Sequence, residues 1–137
     1  MIGRLPPYAL HTLRFRFRAL ATQAGRSSLG GDREVVLACF VAARIGAGLF
    51  PEMRADPAKL QVRAVAARQW LSSISVPGQV RQAVGAVISA SAGADAVAAA
   101  RALTHLLLLA PAQLDEASVA EIQELVDELA PDVAAVP

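Results

Sequence analysis

Between Asp95 and Pro111 runs DAVAAARALTHLLLLAP, in which only Arg101, Thr104 and His105 are polar among otherwise Ala, Val and Leu residues. Those three are spaced i, i+3 and i+4, so on a helix they form one narrow strip. Asp95 is placed to cap the helix start, because a carboxylate there accepts the unpaired N–H groups of the first turn. Pro111 stops the helix, since its ring clashes with the preceding turn and pushes residue 110 out of the α region. A helix that is apolar nearly all round is enclosed by neighbours or immersed in a membrane. About fifteen residues give roughly 22 Å, short of a hydrocarbon core of roughly 30 Å. The segment therefore predicts the central helix, about 96–110, of a compact bundle. Val97, Leu103, Leu107 and at least one of Leu106 or Leu108 are the expected buried positions.

The rest of the chain supplies helices to surround it. Pro6-Pro7 can open a helix over 8–24, with Leu10, Leu13, Phe17, Leu20, Ala21 and Ala24 at helical spacing. Leu13 to Arg18 also alternates with period two, which is the competing strand reading, but no second alternating run exists to pair with it. Gly and Ser mark 25–32 as a loop, with Asp32 a cap for a helix over 33–49 that Phe50-Pro51 ends. Asp56-Pro57 starts the next, to about Ser73, burying Leu60, Ala64, Ala67 and Leu71, with Val62, Ala66, Trp70 and Ile74 alongside. Ser75 is a candidate cap for a helix over 77–91, in which Gly85 is expected to admit a close neighbour and Gly93 to end the turn. The last helix is capped by Asp115, or by Ser118 with Glu121 in a capping box, and closes at Pro131. Its stripe of Val119, Ile122, Val126 and Leu129 should pack on the bundle. Five or six short helices with no convincing strand define an all-α class, and 137 residues fit one domain, 1–137.

Charge is segregated along the chain. Residues 1–54 carry eight Arg against three acids, residues 55–110 five bases against two acids, and residues 111–137 seven acids and no base. A chain polarised in this way favours head-to-tail pairing, within one molecule or between two. The acidic helix should meet Arg side chains of the first helices or of a second subunit. Hydrophobic residues make up 55% and charged residues 18%, against roughly 45–50% and 25% in ordinary domains. That apolar surplus calls for a partner surface as well as a core.

Assembled chemistry is hard to find. Cys39, the lone cysteine, lies in an apolar run and reads as a small buried hydrophobe, and no Cys/His cluster suits zinc. His11 and His105 are the only histidines, and nothing brings them together as metal or haem ligands. No base stands at a recognisable spacing from a nucleophile, and Gly30-Gly31-Asp32 puts a carboxylate where a phosphate would sit. The expectation is a protein with no catalytic residues, metal or cofactor.

Three contact surfaces remain: a basic one at Arg14, Arg16 and Arg18, the polar strip of Arg101, Thr104 and His105, and an acidic one at Glu121, Glu124 and Glu128. The expected function is a helical interaction, assembly or regulatory module with a protein partner or a second copy of itself. The alternatives are a nucleic-acid-binding regulator using the Arg–Phe alternation near Arg14, or a carrier or enzyme with a pocket beside Arg101 and His105. The expected location is the cytoplasm, or the mitochondrion if the acid-free stretch 1–31 acts as a presequence. Arg44, Arg101 and His105 near the middle of the best apolar spans argue against a membrane.

Overall fold

The structure, a computed structural model, describes residues 31–49 and 56–130. Among these residues the protein is all-α, with five α-helices, one short 3-10 turn and no strand. Helix α1 spans Gly31–Ala47, α2 Pro57–Ser73, α3 Gly78–Ala92, α4 Ala96–Leu109 and α5 Glu116–Leu129, with the 3-10 turn at Pro111–Gln113. The expected all-α bundle is therefore found. The helix or strand expected within 8–24, the break at Phe50-Pro51 and the stop at Pro131 lie outside the described residues.

Three helices start with one device. The carboxylate of Asp56 accepts the Lys59 N–H at 3.0 Å, that of Asp95 accepts the Ala98 N–H at 3.0 Å, and that of Asp115 accepts the Ser118 N–H at 2.7 Å. Each cap satisfies a donor left over in the first turn and contributes about 1 kcal/mol. For α5 this selects Asp115 over Ser118, which is buried inside the helix. Two other expected caps are corrected. Asp32 lies inside the described span of α1, Gly31–Ala47, and so does not stand before the helix as its cap. Helix α3 is preceded by Pro77 without a side-chain cap, and Ser75 instead donates its backbone N–H to the Glu34 carboxylate of α1.

The end of α3 also differs in detail. Gly93 has φ −87°, and the left-handed position falls one residue later, on Ala94 at φ 55°. Ala94 N–H donates to the Ser91 carbonyl at 3.1 Å and Asp95 N–H to the Ala90 carbonyl at 2.9 Å, which is the Schellman pattern. Alanine holds a position that glycine occupies without a Cβ clash.

Packing builds on the antiparallel-neighbour logic of short loops. Helices α3 and α4 have the most extensive mutual contact; α2 and α1 pack on α3, and α5 packs on α4. Among the described helices α1 touches every other one and is the most enclosed, with Leu37, Ala38, Cys39, Phe40, Val41, Ala42 and Ala43 all buried. Helix α4 shares the centre with it through Ala99, Ala100, Ala102, Leu103 and Leu106. Three of the four α5 stripe residues lie on the bundle as expected, Ile122 and Val126 fully buried and Leu129 packed against the core, while Val119 is only half-buried.

Burial departs from expectation on the helix sides that face away from the neighbours. Val97 is 44% exposed and Leu108 74%, and Leu107 is half-buried, so Leu103 and Leu106 carry the α4 core. On α2, Leu60, Ala64, Ala67 and Leu71 are buried as expected, but Val62 and Ala66 are exposed. The glycines exchange roles as well. A Cβ at Gly85 would meet nothing within 4 Å, whereas one at Gly46 would lie 3.0 Å from Leu103 Cδ1, so the close helix approach is at Gly46.

Candidate functional site

Of the three surfaces expected from sequence, two lie within the described residues; Arg14, Arg16 and Arg18 lie outside them. Arg101 and His105 are exposed on α4, and Thr104 is half-buried with its hydroxyl donating to the Ala100 carbonyl at 2.9 Å. Val97 and Leu108 extend this strip at both ends, so it is the outward face of α4. The acidic surface is on the adjoining helix. Glu124 is exposed, Glu121 and Glu128 are half-buried, and Glu116 and Asp127 add exposed carboxylates to the outward side of α5. Ala120 is exposed among them.

A third face has no counterpart in the sequence expectations. Ala58, Val62, Val65, Ala66 and Gln69 are all exposed on α2, at i, i+4, i+7, i+8 and i+11, one side of a helix. Val62 is 68% exposed and Val65 51%. Lys59 and Arg63, also exposed, flank them on the same helix. The sequence signal was present as a surplus: α2 has more apolar residues than the four positions that its one packed side can use.

This face is held by the helix behind it. Gln61 Nε2 donates to the Ala92 carbonyl at 3.1 Å, and an Arg68 guanidinium nitrogen approaches Ser89 Oγ at 3.2 Å. Arg81 of α3 donates to the carbonyls of Leu71 and Ile74, the latter at 2.6 Å. A cation there meets the carbonyls left over in the last turn and the negative end of the α2 dipole. Helix α2 has no basic residue of its own in that turn.

The interior offers little to chemistry. Cys39 is 1% exposed, and burial pushes its thiol up to about 12, away from the thiolate that would act as nucleophile or metal ligand. Among the described residues no three His, Cys, Asp or Glu side chains are grouped as a metal site requires. Also among them, no helix is long and apolar enough to cross a membrane. The faces of α2, α4 and α5 are thus the features on which function must be argued. Compared with family models, curated proteins and solved structures, the chain matches none.

Proposed function

We propose that this protein is a non-enzymatic helical interaction module of the cytoplasm that receives its partner on the outward face of α2. The observation that carries this reading is the exposure of Val62 and Val65 on one side of a firmly tied helix, with Lys59 and Arg63 beside them. An isolated exposed valine needs no explanation. Successive apolar positions on one face, rimmed by charge, are the pattern that a partner covers. Contact between helices is the natural mode, because side chains at i, i+4 and i+7 offer ridges for another helix to interlock with. The flanking bases select for a partner with acids beside its own apolar line.

A photo-crosslinking residue in place of Val62 or Val65, introduced in the native host, tests the reading, with the exposed Gln82 of α3 as control. Discrete adducts from positions 62 and 65 and none from 82 are expected. No adduct at either valine, or the same adducts from all three positions, would refute it.

A further inference from the structure

We propose that the occupant of the α2 face is the acidic outward face of α5 from a second copy of the chain. This rests on the interaction reading above and names the partner. Helix α2 carries Lys59, Arg63 and Arg68 and no acid, whereas α5 carries Glu116, Glu121, Glu124, Asp127 and Glu128 and no base. Opposite charge is therefore concentrated on two separate helices. Helix α2 packs on α3 and α5 on α4, so the two flank the α3–α4 pair, and their exposed faces are turned out from a shared core. An outward face cannot meet another outward face of the same molecule; it can meet that of a neighbour.

The shapes agree with the charges. Ala120 is exposed in the middle of the α5 acids, with Ala117 beside it. Small residues there let the Val62 and Val65 side chains of the other copy reach close to the α5 backbone. The acids at Glu124 and Asp127 then fall beside Lys59 and Arg63, so the small apolar contact is held only with the help of the opposite charges, which also set its orientation. Because one patch meets a different patch, the contact is heterologous and leaves a free α2 face and a free α5 face at the two ends of a pair. Association can therefore extend beyond two copies. A single helix-on-helix patch is small, so each contact is weak.

The test is the mass of the intact protein by sedimentation velocity, at low and high salt, up to roughly 0.5 mM because contacts of this size are weak. The average mass should rise with concentration at low salt and return to that of the monomer at high salt. Lys59→Glu with Arg63→Glu should give a monomer, as should Glu124→Lys with Asp127→Lys, each with an unchanged circular dichroism spectrum. Mixed in equal amounts, the two variants should associate again, because each retains one intact face and their two reversed faces are complementary to each other. All four changes in one chain should restore association. Wild-type protein that stays monomeric throughout would overturn the proposal, as would a mixture of variants that fails to pair. A monomer that instead pellets with phosphatidylserine vesicles would also overturn it, in favour of a membrane surface. Monomeric protein together with a Val62 adduct to a different protein removes the self-association and keeps the interaction reading; loss of the adduct as well removes both.

Discussion

Two glycines, Gly85 in the middle of α3 and Gly46 near the end of α1, should respond oppositely to the same added methyl group. In a helix interior, alanine is favoured over glycine by about 1 kcal/mol, because glycine loses more backbone freedom on folding. At Gly85 a Cβ meets nothing within 4 Å, so that gain should appear nearly whole. Gly85→Ala should raise stability by about 1 kcal/mol, or roughly 4 °C in melting temperature for a domain of this size. At Gly46 the Cβ would lie 3.0 Å from Leu103 Cδ1 and 3.7 Å from Leu125 Cδ2, and both leucines are fully buried. Forcing an extra methyl into a packed core costs about 1–3 kcal/mol. The propensity gain is reduced there because only Ala47 follows within the helix. Gly46→Ala should therefore be destabilising, by up to about 2 kcal/mol. Urea unfolding followed by far-ultraviolet circular dichroism gives both values, with an unchanged slope showing that the unfolded state is unaffected. If Gly46→Ala proved as stabilising as Gly85→Ala, α1 would not approach α4 as described.

Three further outcomes are expected. Leu106→Ala should cost about 2–5 kcal/mol because its side chain is enclosed, while Leu108→Ala, at 74% exposure, should stay within about 0.5 kcal/mol; equal losses in urea titrations would contradict the facing of α4. Ala94→Gly should stabilise by about 1 kcal/mol, since it removes the Cβ penalty at φ 55°, and a thermal melt no higher than wild type would count against that strain. Cys39 should react with a thiol reagent only after unfolding. Because burial raises its folded-state value above the ordinary 9.0 to about 12, the unfolded chain loses this proton first. Stability should therefore fall by about 1 kcal/mol per pH unit above 9. Cys39→Ala should flatten that decline, and an identical pH profile would show the thiol to be accessible.

The elements were legible because their signals are local. Asp56-Pro57, Asp95 and Asp115 announce helix starts through bonds to residues three positions away, and Leu60, Ala64, Ala67 and Leu71 mark a buried side by spacing alone. What spacing cannot say is whether a second apolar side has a neighbour. Val62 and Val97 look as buriable as Leu71 and Leu103 in sequence, and only the position of α2 and α4 in the bundle separates them. The same holds for Arg81, whose carbonyl partners Leu71 and Ile74 belong to the previous helix. The charges of the candidate site are visible as a gradient along the chain, but Val62 beside the bases reads by spacing as part of the buried side. Its availability is a tertiary fact.

Asp95 closes one helix with its backbone N–H and opens the next with its side chain. Stop and start are thus joined within the short turn from Gly93 to Asp95, and the two helices it connects share the most extensive contact among the described helices. Closing so short a loop costs little chain entropy. Contacts of low sequence separation also speed folding. The α3–α4 hairpin is therefore the natural nucleus, on which α2 and α5 can condense afterwards from either side. The helices with the exposed charged faces would then be the last to dock and the first to open.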